Sequence, residues 1–265
     1  MNEDQFQTII LGKRSYISKQ LKKKLTNSKI LSIQEFLKKK KEKTKFNIII
    51  NSSFPLKKLN NLKSYKKFFS KSLLEIIDLI EFIKSYKNIN KIIFSSSSSV
   101  YSSFLKELAE DDFNRKLYSS VKNTLENLLN NFCKKKKINF YILRIFNVYG
   151  KNENFSIISK LNKKKIKVRI ANNGKSIRDF IHIDDLTKVY KLFINKKILT
   201  GIYDVGTGKG VSVKKLINLS RSNNKNVTYI KKPIQEVSKS IASIEYFKKY
   251  NMRIKFKNVI NYMAE

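Results

Sequence analysis

The chain is 265 residues long, with 41% apolar and 12% aromatic residues, which excludes wholesale disorder and allows one large domain or a domain with a smaller lobe. No apolar run reaches the roughly 18–20 residues needed to cross a bilayer, so no membrane span is expected. Fifty-seven basic against twenty acidic residues give a formal net charge of +37, which implies an anionic partner unless composition bias supplies the lysines.

In chain order, Thr8–Leu11 reads as a short β-branched strand that runs into Gly12. The spacing of Tyr16, Ile17 and Leu21 then turns helical. Strands are predicted at Ile30–Ile33 and at Phe46–Ile50, the second ending in Asn51-Ser52-Ser53. A helical stripe of Leu73, Leu74, Ile77, Ile80 and Ile83 precedes a strand at Ile92–Phe94, five serines and Val100-Tyr101. The helix expected over 118–132 carries Val121, Leu125, Leu128 and Leu129, and Phe140–Leu143 is again a strand. Strands alternating with helices at this spacing predict an α/β protein with a doubly wound parallel sheet covered on both faces.

The charge has a plain source. Only seven of the basic residues are Arg, and Asn, Ile, Phe and Tyr are abundant while Gly, Pro and Ala are scarce. That is the residue set of A/T-rich codons. A surface built to read phosphates more often uses the bidentate fork of Arg. Codon drift therefore ranks first, attraction of small anionic substrates second, and a nucleic-acid role third. The lysine runs Lys22–Lys24, Lys38–Lys41 and Lys134–Lys137 fall at helix ends, where a cation suits the dipole. Cys133 and His182 are the sole residues of their types, which excludes an internal disulfide and His- or Cys-cluster metal sites. No metal is expected, and a reducing cytoplasm fits. The first twenty residues lack a basic stretch followed by a long apolar one, so a secretory leader is not expected.

Two places could carry chemistry. Ligands of doubly wound sheets bind beyond the carboxyl ends of the strands, and Gly12 stands at such an end, before a helix N-terminus that suits a pyrophosphate. Tyr118 and Lys122 are four apart on one helix face, so an ammonium beside the phenol would make a usable acid/base. A serine at a neighbouring strand end, Ser97, could orient a substrate oxygen. A turn glycine and an ordinary exposed Tyr–Lys pair are the bland readings of the same residues.

Joined in order, these pieces resemble the extended short-chain dehydrogenase/reductase family, the nucleotide-sugar epimerases, dehydratases and reductases, from about residue 7 to residue 260. IILGKRSYISKQL is similar to its glycine-rich opening, IIFSSSSSVY to the strand that ends in its catalytic serine, and YSSVK to its YxxxK. ILRIFNVYG, GKSIRDFIHIDDL and YDVGTGKGVSV are similar to its later segments. The resemblance implies a Rossmann-like domain from residues 1–150 and 178–208, with a small substrate lobe from 151–177 and 209–265. It implies that Ser97, Tyr118 and Lys122 are catalytic, Tyr118 as general acid/base. Gly12, Ser15, Tyr16, Ile17, Ser52 and Ser53, with Tyr118 and Lys122, would hold NAD or NADP. Ser97, Asn147 and Arg178 would contact a nucleotide sugar, and His182 would tether the domains rather than act in catalysis. No specific nucleic acid is expected as partner, and a homodimer stays open. The implied activity is a UDP-glucose 4-epimerase-like hydride transfer at sugar C4, with reduction of a 4-keto-6-deoxy sugar as the alternative.

The departures carry expectations too. Ser15 and Ser18 stand where the family pattern has Gly, and a serine forced to φ > 0 would cost about 1 kcal/mol. Ser32-Ile33-Gln34-Glu35 offers no clean partner for the adenosine ribose, so NAD against NADP is open. The chain between the second and third strands is short, as if a strand–helix unit were trimmed. Ser98 and Ser99 stand where the family's dehydratases carry Asp-Glu, which disfavours 4,6-dehydration.

Overall fold

The computed structural model describes residues 6–39, 44–52, 65–101, 113–151, 153–163, 166–220, 227–230 and 237–264. In chain order the strands are β1 (Gln7–Leu11), β2 (Ser28–Leu31), β3 (Phe46–Ile50), β4 (Ile89–Ser97), β5 (Asn139–Ile145) and β6 (Asn147–Tyr149). They continue with β7 (Val168–Ile170), β8 (Ile177–His182), β9 (Gly201–Val205), β10 (Gly210–Ser212), β11 (Val227–Tyr229) and β12 (Lys239–Ser240).

The apolar β-branched runs become the centre of a six-stranded sheet of order β2-β1-β3-β4-β5-β9. β3 is buried along its whole length, as a strand covered on both faces must be. Its register on β1 and β4 is parallel, with Ile48 opposite Ile9 and Ile92. The core on this sheet joins Ile9, Ile48, Ile50, Ile92 and Phe94 to Ile76, Leu79 and Ile83 of helix Glu75–Ile83 and to Val121, Leu125 and Leu129 of helix Phe113–Lys136. The architecture is a Rossmann-like α/β sheet with flanking helices. After β2 the chain returns to the other side of β1, so the order reverses between β1 and β3. That switch point is where such sheets bind ligands. Beyond β2 no further strand follows among the described residues, in keeping with the trimmed unit between the second and third strands.

Three expectations shift. The strand expected at Ile30–Ile33 ends at Leu31, because Ser32 and Glu35 form a reciprocal capping box that starts helix Ile33–Leu37. Leu74 and Ile77 were expected to face inward, yet Ile76, Leu79 and Ile83 are the buried stripe and Leu74 is exposed. A π-helical turn at Ser70–Leu74 inserts into this helix and rotates the face that follows it. The strand expected at Ile92–Phe94 runs on through Ser95, Ser96 and Ser97.

The chain divides into two compact units, one from 1–100, 113–144 and 190–203, the other from 101–112, 145–189 and 204–265. Residues 145–150, 178–189 and 204–208, expected in the first, fall in the second, where β6 pairs with β8. β8 also takes β10 antiparallel and β12 parallel, while β11 pairs with β7. Tyr149, Leu161, Phe180, Leu216, Ile217 and Met263 fill the core of this second unit.

Candidate active site

In the first unit, β1 delivers Gly12 to the switch point with φ +127°. A Cβ there would meet the Asn51 carbonyl oxygen at 2.5 Å, so only glycine fits against the end of β3. Ser15 follows as N-cap of helix Tyr16–Lys24, with φ −69° and its hydroxyl 3.5 Å from the Ser18 amide. The strain expected of serine at φ > 0 is therefore absent at Ser15, and Ser18 is ordinary buried helix. Both hydroxyls accept from Asn51 Nδ2, each at 2.8 Å. Side-chain hydrogen bonds thus hold together a turn that the family pattern leaves to bare glycine. Tyr16 and Ile17 open the helix, whose first turn holds no acid, and Ser52 follows Asn51. Ser53 lies outside the described residues.

At the carboxyl end of β4 the other three expected residues come together. The Ser97 side chain lies beside the Tyr118 hydroxyl; burial of that hydroxyl end pushes its pKa up to about 12, while Ser97, placed to donate to the phenolate, pulls it down. Ser99 donates from its amide (3.3 Å) and its hydroxyl (3.0 Å) to Ser97 Oγ. Lys122, one helical turn beyond Tyr118, is buried and donates from Nζ to the Ser95 carbonyl at 2.8 Å. Its ammonium lies 4.8 Å from the Phe94 ring centre, and burial pulls its pKa down to about 8 against the raising influence of Glu126. In this arrangement Lys122 contacts β4, and the group that lowers the Tyr118 pKa is Ser97.

The five serines are therefore not filler. Ser95 Oγ shares a hydrogen bond with Tyr190 Oη, and Ser96 Oγ donates to buried Glu126, which Arg144 also clasps. Glu126 was missed by the sequence reading, although its spacing of four from Lys122 repeats the spacing of Lys122 from Tyr118.

The second unit holds Asn147 and Arg178. Asn147 Nδ2 donates to the Asp179 carbonyl at 2.9 Å, and Arg178 Nη1 donates to the Ile177 carbonyl at 2.9 Å. Asp179, fully buried, accepts from the amides of Thr207, Gly208 and Ala242 and from the Thr207 hydroxyl. That carboxylate, another residue missed, organises the GTG turn at Gly206–Gly208. His182 is buried between Tyr149 and Tyr262, and its Nδ1 accepts the Asp184 amide at 3.1 Å. Burial, with the Lys257 cation, pulls its pKa below the ordinary imidazole value. Burial pushes the Cys133 thiol up to about 12, which makes it a core side chain and not a nucleophile.

A concavity of 420 Å³ lined by Lys84, Tyr86, Lys87, Lys136 and Lys137 lies at the amino end of β4, away from Ser97 and Tyr118. Among the described residues no group of three or more His, Cys, Asp or Glu could hold a metal, and no helix is long and apolar enough to cross a membrane.

The parallel sheet carries a glycine turn at its switch point, where such sheets bind ligands, and a Ser–Tyr–Lys set at the end of β4. Residues 2–206 match the NAD dependent epimerase/dehydratase family, and the chain belongs to that family. It is 30% identical over 246 residues to the dTDP-D-glucose 4,6-dehydratase of Dictyostelium discoideum, covering 80% of this chain and 56% of that protein. Over 171 residues it is 32% identical to the ADP-L-glycero-D-manno-heptose-6-epimerase of Brachyspira hyodysenteriae, covering 59% and 49%. The chain thus spans about half the length of these curated relatives. The solved UDP-glucuronic acid 4-epimerase of Bacillus cereus, in complex with UDP-glucuronic acid and NAD, shares the fold with a TM-score of 0.77. It is 17% identical, and the match covers 97% of this chain and 96% of that one.

Proposed function

We propose that this protein binds NAD or NADP and a nucleotide sugar, and acts at sugar C4 as a 4-epimerase. The observation that carries the reading is the Ser97 side chain beside the Tyr118 hydroxyl at the carboxyl end of β4, with Lys122 one turn further along the same helix. The turn suits a dinucleotide: Gly12 leaves the end of β1 bare, and the helix that follows begins without an acid in its first turn. Gly12, Ser15, Tyr16 and Ile17 would hold the pyrophosphate, and Ser52 and Ser53 the adenosine side. A bound nicotinamide supplies the hydride acceptor and donor.

The chain's own part is proton transfer and orientation. Ser97 Oγ binds the reacting sugar oxygen, and Tyr118 Oη takes or returns its proton. The Lys122 ammonium is the nearby cation that would favour the Tyr118 phenolate once the two approach. Asn147 and Arg178 are the proposed contacts to the sugar nucleotide, Arg178 through its phosphates.

Two other outcomes belong to the same chemistry. Reduction of a 4-keto-6-deoxy sugar needs the same Tyr118 proton and consumes NAD(P)H. A 4,6-dehydratase stands among the relatives, so family membership leaves that reaction open. We disfavour it on the residues, because Ser98 and Ser99 follow Ser97 and a hydroxyl lacks the acidity of a carboxylic acid and the basicity of a carboxylate. A non-catalytic nucleic-acid binder would have no use for the Tyr118–Ser97 contact. A cytoplasmic location and a homodimer go with the reading as expectations.

The test is a panel of nucleotide hexoses and 4-keto deoxysugars, with product followed by chromatography and cofactor by nicotinamide absorbance. Isomer formation without net cofactor change is the expected result. Stoichiometric loss of NAD(P)H selects the reductase, and a 4-keto-6-deoxy product from a plain hexose contradicts the proposal.

A further inference from the structure

Tyr118, Lys122 and Glu126 recur at every fourth residue of helix Phe113–Lys136, and three consecutive serines of β4 receive them. The Tyr118 hydroxyl lies beside the Ser97 side chain, Lys122 Nζ donates to the Ser95 carbonyl, and Ser96 Oγ donates to Glu126 Oε1. From β5, Arg144 closes on the same carboxylate, Nη2 to Oε2 at 2.7 Å and Nε to Oε1 at 3.2 Å. Glu126 is 2% exposed, and the reaction described above gives neither it nor Arg144 a part.

We propose that Glu126 is a positioning residue: its carboxylate fixes the register of the Tyr118 helix on β4 and stands as a negative charge one helical turn from the Lys122 ammonium. The functional consequence rests on the hydride-transfer reading; the contact itself does not.

Stability alone is a poor reason for this pair. Taking two charges out of water costs as much as their attraction returns, and apolar residues of equal volume commonly serve as well. Register is a better one. Val121, Leu125 and Leu129 decide which face of the helix is buried, but apolar contact is non-directional. Hydrogen bonds are directional, and a proton-transfer site must be held within about 0.5 Å.

The electrostatic part follows from who surrounds Lys122. Glu126 faces it from its own helix, and Arg144 of β5 stands behind Glu126. Tyr190 of helix Ile183–Asn195 reaches Ser95 Oγ. From β4 the Phe94 ring and the Ser95 carbonyl reach it. Glu126 is thus the carboxylate that supports the ammonium, and removing it also takes a partner from the Arg144 cation. Burial and Glu126 already pull the Lys122 pKa in opposite directions.

The experiment follows Lys122 by NMR of protein labelled at the lysine ε-carbons, without added cofactor or substrate. The Phe94 ring current separates the Lys122 signal from those of the exposed lysines, and Lys122→Met assigns it. In Glu126→Gln the midpoint of that signal should fall by about one in pH, while Glu126→Asp, which keeps the charge, should stay near wild type. In the turnover arm, the alkaline limb of kcat should move down with it, with KM for the nucleotide sugar little changed. An unchanged Lys122 midpoint in folded Glu126→Gln overturns the proposal. Should Glu126→Gln fail to fold, Ser96→Ala removes the register bond alone and should lower kcat by about tenfold with KM unchanged; an unaltered kcat overturns the proposal. Absence of turnover in wild type would count against the hydride-transfer reading, and the Lys122 titration would still decide this one.

Discussion

Asn51 Nδ2 donates to the Ser18 hydroxyl at 2.8 Å, and the same nitrogen reaches Ser15 Oγ at an equal distance. The end of β3 is thereby tied to the first turn of the helix after Gly12, at the sheet's switch point. Asn51→Ala should cost about 1–3 kcal/mol, because the buried Ser18 hydroxyl and the half-buried Ser15 hydroxyl lose their donor. Dinucleotide affinity should fall about tenfold as the turn loosens. Thermal unfolding and calorimetric titration with NAD and NADP check both. Unchanged affinity in the variant would separate the turn from the cofactor. Gly12→Val is a poorer probe, since its side chain would strike the Asn51 backbone whether or not a ligand is bound.

Much of this was legible in the sequence, and the rest was hidden for identifiable reasons. Ile48, Ile92 and their neighbours sit in continuous apolar runs, and a parallel sheet buried on both faces writes its strands that way. Tyr118 and Lys122 were found because helical spacing of four puts them on one face. Glu126 continues that spacing but, in so charged a chain, a carboxylate on a helix reads as solvated surface. Only the approach of Arg144 from β5, a contact between residues 18 apart, shows it to be buried. Ile33 was assigned to a strand because β-branched residues favour one, and the Ser32–Glu35 capping box overrode that propensity. The buried phase of helix Glu75–Ile83 escaped because a π-helical turn has no periodicity signature in a short window.

Gly150 has φ +103°, and a Cβ there would stand 2.3 Å from His182 Nε2. Gly150→Ala should therefore destabilise the second unit by about 2 kcal/mol or more, from backbone strain together with overpacking. His182→Ala in the same background removes the obstructing ring. The double variant should consequently lose less than the sum of the two single losses in a denaturant titration. Additive losses would show that the ring is not the obstacle.

Lys91 is buried, and its ammonium donates to the carbonyls of Phe193, Ile194 and Lys196 at the end of helix Ile183–Asn195. Burial pulls its pKa from the ordinary 10.5 down to about 8. Between those values the unfolded chain binds a proton that the folded chain has released, so this residue's contribution to stability rises with pH there. Below about 8 the full cost of burying the charge is present. The Tm of wild type minus that of Lys91→Met should therefore increase from pH 8 to pH 10. A flat or falling difference would mean that the three carbonyls hold the ammonium charged throughout.

With a formal charge of +37, some attraction to duplex DNA is expected from charge alone. If the lysines reflect composition and not a binding surface, that attraction should be sequence-blind and fall steeply as salt rises. Titration of labelled duplexes from 50 to 200 mM salt checks it. Sub-micromolar, sequence-dependent binding at physiological salt would instead favour a nucleic-acid role.

The central claim is that Tyr118 moves the proton at the reacting sugar carbon. Tyr118→Phe keeps the ring and its packing and deletes the hydroxyl beside Ser97. The decisive measurement is the kcat of wild type and Tyr118→Phe on the same nucleotide sugar, with NAD(P)H affinity measured alongside. Turnover should fall by about 10²-fold or more while cofactor affinity stays within a few-fold. Equal turnover in the two proteins would contradict the assignment of Tyr118 as the acid/base.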